Sequence, residues 1–361
     1  MENHPTDPTA AFPQAIDENA SFLLLAHAHW RMTGREVIVT AYYPLIQRLA
    51  RYLMDADTTG NGFPDVGVAG VPEADAADAA PRGEPVSLAV KTLAALGATV
   101  QIAARNGDDE FAAVCRDHAA LIRQTLDSRA WLGDHYAVAI EKPTADAADA
   151  WDGESAGGAA RPEWDAHSIR TSAGLLYPLM VGSHPDVDEA RLARDIASAT
   201  RSTLMEYGST DSSADPGRLS TARNLWRDFV AGYLGMDYLD MAARYWAFEA
   251  MENSVGCGGG FVDAYGGNAV RFHPGGIAGI GAFAAAAGLS IDRLAGRVSL
   301  NPVRVPLRVP LLPLADWDAG AVPWLDVDLV DGEVRARILR RELLDGMVVT
   351  VFGKEIGALG R

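Results

Sequence analysis

Apolar positions recur at helical spacing along most of this chain. Asn19 to Met32 carries Phe22, Leu23, Leu25, Ala26 and Trp30 on that period and stops at Gly34, a residue that ends helices well. Glu36 to Met54 repeats the pattern with Val37, Tyr43, Leu45, Leu49 and Leu53, and Pro44 predicts a kink within it. Pro85 to Ala104 is apolar on nearly every face and predicts a buried helix. Asp108 to Leu126 follows, with its start near Asn106-Gly107. Further helices are expected over Ser168 to Met180, Val187 to Met205, Ser220 to Leu234, Met236 to Met251 and Gly275 to Ala287. Residues 141 to 163 and 208 to 217 are expected as loops.

The period changes after Leu294. Val and Leu alternate with Pro from Arg297 to Leu314, and Trp324 to Leu329 alternates against Glu333 to Leu339 around Asp331-Gly332, a strong hairpin signal. Met347 to Phe352 adds a strand. The pattern predicts a mainly α chain of about nine or ten helices in consecutive antiparallel pairs, closed by a small C-terminal antiparallel sheet. Strand never alternates with helix, which argues against Rossmann and TIM-barrel folds. Helix pairs in this number suggest a bundle, a solenoid or an (α/α) toroid, and no fixed-period repeat supports the solenoid. The expected division is a helical domain over 1–293 and a β region over 294–361.

The stretch between the second and third helices, Asp55 to Asp65, departs from this order. It holds two glycines, an Asn and a Pro among carboxylates, so neither helix nor strand fits it. A sugar-enzyme loop, a cation loop and a plain helix-ending turn all match. The cation reading weakens in detail: Asp55, Asp57, Thr59 and Gly60 match the first half of an EF-hand loop, but its twelfth position is Val66 instead of a bidentate Glu.

Composition narrows the partners. The chain has 361 residues, 48% of them hydrophobic, and a formal net charge of -17, which disfavours nucleic acid and anionic membranes. No run approaches the roughly 18 apolar residues of a membrane span. The N-terminus shows no basic region followed by an apolar run, so a cytoplasmic location is expected. Cys115 and Cys257 fit no metal spacing or disulfide framework. No Walker loop, dinucleotide fingerprint or nucleophile elbow occurs, and neither a cofactor nor a metal site is expected. A homodimer stays open.

Carboxylates are the remaining chemistry. Asp55, Asp57 and Asp65, then Glu73, Asp75 and Asp78, cluster in loops that follow helices. A toroid would gather such loops at one mouth. Glycoside hydrolysis needs little more than two carboxylates across a sugar, about 5–5.5 Å apart for retention and about 6.5–9.5 Å for inversion. A solvated acidic loop is the plainer explanation of the cluster. Asp228, in TARNLWRDFVAG, either faces the mouth or pairs with a helical Arg. Arg271 and His273 stand in a Gly-rich loop before a buried helix, where ligand binding and local hydrogen bonding are equally served.

Five segments together resemble a known group: DADTTGNGFPD, SLAVKTLAALGA, WDAHSIRTSAGLLYPLMVG, NLWRDFVAGYLGMDYLDMAARYW and DAYGGNAVRFHPGGIAGIGAFAAAAG. In order, they are similar to the catalytic (α/α)6 domain of glycoside hydrolase family 52 and its relative family 116, over most of residues 17 to 290. The resemblance implies retaining hydrolysis of β-linked xylosides or glucosides. It implies Glu73, or Asp75, as the acid/base, and Arg271 with His273, Asp228 and Asp65 as sugar-binding residues. It also implies that the family's nucleophile and N-terminal β-sandwich lie upstream of Met1, so that the chain is an N-terminally truncated catalytic portion. A catalytically inactive carbohydrate-binding relative and a helical scaffold without a sugar site are the alternatives.

Overall fold

The computed structural model describes residues 15–66, 83–141, 164–248, 250 and 278–356. Ten α-helices occur among them. The first five are α1 (Ala15–Thr33), α2 (Val37–Ala41), α3 (Tyr43–Asp55), α4 (Val86–Arg105) and α5 (Asp109–Thr125). They are followed by α6 (Leu176–Met180), α7 (Glu189–Thr203), α8 (Thr221–Tyr233), α9 (Met241–Ala247) and α10 (Ala278–Ala287). Helix α4 is the centre of the first core. It packs against α1, α3 and α5, and its Val86, Val90, Leu93, Leu96 and Ile102 are buried. An 18-residue window of α4 has mean hydropathy 1.5, so by length and composition this helix could cross a membrane, contrary to the expectation that no such run exists. In the fold 72% of that window is buried, as in a core helix.

Several elements depart from their expected bounds, each for a local reason. The helix expected from Glu36 to Met54 is broken at Tyr42, and Pro44 stands in the first turn of α3, where its missing N–H costs nothing. Only Leu176–Met180 of the stretch expected from Ser168 is α-helical, preceded by a 3₁₀ turn at Ala173–Leu175. Ser168 instead bridges Ser212 in extended pairing, and Gly174 comes so close to α4 that a Cβ there would lie 2.7 Å from the Lys91 Cα. The segment 236–240 stays out of α9 because Asp237 caps Leu239 N and is clamped, with Asp240, by Arg304. The expected loop 208–217 contains part of a hairpin, β3 (Thr210–Ser212) with β4 (Asp215–Leu219). A second short pair, β1 (Gly83–Pro85) with β2 (Ala139–Glu141), joins the entry of α4 to the segment after α5.

The C-terminal region forms two sheets around a second core that includes Leu289, Val298, Leu311, Leu325 and Val349. The strands are β5 (Ser290–Asp292), β6 (Arg297–Leu300), β7 (Leu307–Pro310), β8 (Trp324–Val330), β9 (Glu333–Leu339), β10 (Val348–Val351) and β11 (Lys354–Glu355). One sheet has the order β7-β8-β9 and is antiparallel throughout. Its hairpin turns at Asp331 and Gly332, with φ of 56° and 80°. Two consecutive positive φ values are what a two-residue turn demands and what Asp-Gly supplies. The other sheet, β11-β10-β6-β5, pairs β6 with β10 in parallel, so it is mixed where an antiparallel sheet was expected.

Candidate functional site

The helices connect in two different ways at their two ends. At one end the turns are short and end on glycines of positive φ: Gly34, Gly107, Gly182, Gly235 and Gly288. At the other end lie the long polar connections: the segment after α3, β1, the segments 131–141 and 164–172, and the β3–β4 hairpin. Hydrogen bonds stitch these together. Val138 N donates to Trp164 O, Ile169 N to Asp211 O, and Ser213 N to His167 O. Longer connections leave room for side chains that serve something other than the core, so this end holds the candidate site.

The Asp57 loop is its first wall. Asp57 Oδ1 accepts from Gly60 N at 2.8 Å and from Thr59 N, Thr59 Oγ1 and Asn61 N at 3.2 Å each. Its Oδ2 accepts from Gly62 N at 2.7 Å. The carboxylate is thus surrounded by donors, whereas a bound cation would need acceptors. Asp65 is buried and accepts from Thr58 N at 2.6 Å and Thr58 Oγ1 at 2.7 Å. Glu84 is fully buried beneath the loop and takes Asn61 Nδ2 at 2.7 Å and Thr59 Oγ1 at 2.9 Å. Burial pushes the Glu84 carboxyl up, against those two hydrogen bonds and the pull of Arg129.

The segment after α5 supplies a second group. Asp134 Oδ1 lies 2.7 Å from His135 Nδ1, and His135 Nε2 donates to Asp165 O at 2.9 Å. The imidazoles of His135 and His167 stack with centroids 3.7 Å apart and planes 17° from parallel. Ser198 Oγ, on α7, donates to Asp134 Oδ2 at 2.7 Å and lies 3.1 Å from His167 Nε2. Hydrogen bonds from His135 and Ser198 hold the Asp134 carboxyl down to about 2. Asp195 is buried behind them and accepts from Tyr136 N at 2.8 Å; burial pushes its carboxyl up to about 7.

The third group is on α8. Arg227 is 1% exposed, and all five of its N–H directions find acceptors. Nε donates to Asp228 Oδ1 at 2.7 Å, one terminal nitrogen to Thr200 and Ser209 hydroxyls at 3.0 Å, and the other to Asn224 Oδ1 and Tyr245 OH. Tyr245 OH in turn donates to Asp228 Oδ2 at 2.5 Å. Burial opposes the charge on Arg227, but Asp228 and Tyr245 hold it protonated.

Of the residues singled out in the sequence, Asp65 and Asp228 are therefore seen in two separate hydrogen-bonded networks at the same end. Glu73, Asp75, Arg271 and His273 lie outside the described residues. Val66 and Gly83, which flank the first two, both belong to the loop end: Val66 N donates to Ala56 O, and Gly83 pairs with Glu141. The Asp134–His135–His167 group was missed, because its members come from separate segments that only tertiary pairing joins. The adjacent Asp-His of GDHYAVAI, in a stretch with no helical period, was the available signal.

No family model matches the chain. No curated protein matches it in sequence. Its structure is similar to that of a GH78 family rhamnosidase of Bacillus sp. GL1, with a TM-score of 0.58 and 16% sequence identity. The match covers 94% of this chain and 33% of the rhamnosidase chain, so the protein spans about a third of the length of that neighbour. The likeness is one of fold: this chain shares its architecture with part of a glycoside hydrolase.

Proposed function

We propose that the chain is a glycoside-hydrolase-type domain that takes a sugar at the end where its long connections gather. The observation that carries this reading is the fold likeness to a rhamnosidase over 94% of the chain. The loop end is consistent with it: it is rich in carboxylates and carries the half-buried Trp131 and Trp164, side chains of the kind that stack on sugar faces. Within this reading Glu73, or Asp75, protonates the leaving oxygen, and Arg271 and His273 hold sugar hydroxyls, while Asp65 and Asp228 serve through the hydrogen-bonded networks they belong to. The substrate class suggested by the motif resemblance is a β-linked xyloside or glucoside, hydrolysed with retention. A rhamnoside belongs beside these in the test, because that is what the structural neighbour's name implies.

The experiment is product release from xylobiose, cellobiose and a rhamnose disaccharide, whose poor leaving groups need a general acid. Turnover is expected on one of them, with a fall of about 10²–10⁴-fold in Glu73→Gln or Asp75→Asn. Failure on all three overturns hydrolysis.

A second reading is carbohydrate binding without turnover. One observation favours it: Asp57, Asp65 and Glu84 are all committed to internal hydrogen bonds. It predicts measurable sugar binding with no product.

A further inference from the structure

We propose that the cavity between α4, α5 and the turn after α6 binds a small uncharged molecule with an apolar ring and one hydroxyl group, of the phenol class. The cavity holds about 290 Å³ and lies towards the glycine-turn end, away from the proposed sugar site. Pockets for small organic ligands begin near this size, at roughly 300 Å³. Its occupancy is independent of any hydrolysis at the other end.

Small side chains keep the space open. Ala94, Gly97 and Ala98 share one face of α4, and Ala119 and Ala120 line the same cavity from α5. A Cβ on Gly97 would meet nothing within 4 Å. Glycine in a helix interior is less stable than alanine, and here neither a positive φ nor a close neighbour requires it. What Gly97 contributes is room. Pro178 and Pro185 add apolar wall, in a turn fixed by Ser183 N donating to Pro178 O at 2.9 Å. Asp186, exposed at the rim, is tied back to α5 by Arg123, which donates to its carboxylate at 2.6 Å and to its carbonyl at 2.8 Å.

The polar groups of the lining select the ligand. His27 Nε2 and Arg31 donate to Gln101 Oε1, and Gln101 Nε2 donates to Ser183 Oγ at 3.0 Å. Ser183 Oγ keeps one hydrogen and one lone pair, with no further side-chain partner among the described residues. That pair suits a ligand hydroxyl, which both donates and accepts. The buried side offers no uncompensated charge for an ion: burial keeps His27 neutral near pH 7, and Arg31 is paired with Asp292. Arg116, His184 and Asp186 are exposed at the rim, where His184 is held by Glu189. A sugar would set several hydroxyls against Leu93, Ala94 and Pro178, whose side chains offer no hydrogen bond. An apolar ring with one hydroxyl satisfies Ser183 and lays its remaining surface on the alanines and prolines.

The test is titration of the full chain with p-cresol, followed by ligand-observed NMR, with toluene and benzoate alongside. Saturable binding of p-cresol is expected, about threefold to tenfold tighter than toluene, the difference one hydrogen bond makes, and tighter than benzoate. Gly97→Leu fills the space and is expected to abolish p-cresol binding while keeping or raising the thermal midpoint, because leucine is the better helix former. Ser183→Ala, at a half-buried turn position, is expected to bring p-cresol down to the affinity of toluene. Circular dichroism checks the folding of both variants. Four results overturn the proposal: no saturable binding by the parent chain, p-cresol binding unchanged in a folded Gly97→Leu, an advantage over toluene that is absent or survives Ser183→Ala, or tighter binding of benzoate.

Discussion

At the scale of single residues, the molecule's buried charges are resolved by partners. Arg227 has an acceptor for every N–H, and its charge is matched by Asp228 alongside. The sequence showed an Arg and an Asp side by side on a helix but not the three hydroxyls and the Asn that complete the set, since these come from α7, α8, α9 and the residue before β3. His27 is the opposite case. It is 1% exposed, and its Nε2 must donate to Gln101 Oε1, because Gln101 Nε2 is already directed at Ser183. Burial, aided by the neighbouring Arg31, lowers its pKa to about 4. The unfolded chain takes up a proton near pH 6.5 that the folded chain refuses until about pH 4, so stability falls as pH drops through that window. The loss amounts to about 3 kcal/mol by pH 4. Urea unfolding at pH 7 and pH 4.5 should show this loss shrinking in His27→Gln, which keeps a donor for Gln101 and does not titrate. An equal loss in both proteins would exclude His27 as the cause.

At the scale of elements, glycine and aspartate positions were the most legible features. Gly34, Gly107, Gly182 and Gly235 mark helix ends in the sequence, and each has the positive φ that such an end requires. Asp331-Gly332 announced its hairpin for the same reason. The β3–β4 hairpin gave no comparable signal: its strands are short and polar, and pairing with the segment around Ser168 holds them. The Asp57 loop was legible as a place but not as a structure. Composition left a cation loop open, and only the folded loop puts donors around Asp57. The loop is seated by Gly62, whose φ is 92° and where a Cβ would lie 2.6 Å from Ile122 N on α5. Gly62→Ala should therefore destabilise the chain by about 2 kcal/mol or more, through the strained φ and the clash together. A thermal unfolding midpoint unchanged within error would show that the loop can leave α5 freely.

At the scale of the whole molecule, periodicity predicts helix pairing and a change to strands after Leu294, a few residues past the observed start at Ser290, because both are written in local spacing. The mixed C-terminal sheet was not legible, since parallel pairing of β6 with β10 depends on how the intervening chain returns. Nor could spacing show that the connections sort into a glycine-turn end and a long-loop end. That sorting, with the rhamnosidase likeness, is the basis for locating a sugar site.

Hydrogen–deuterium exchange of the full chain, with and without saturating xylose, glucose or rhamnose, tests this most directly, because it reports binding and location whether or not hydrolysis follows. The prediction is slower exchange confined to the loop end, in 56–66, 131–141, 164–172 and 208–220, for one of these sugars. No protection by any of them would contradict the assignment. So would protection confined to the opposite end, where His27, Gln101 and Ser183 line a cavity of about 290 Å³.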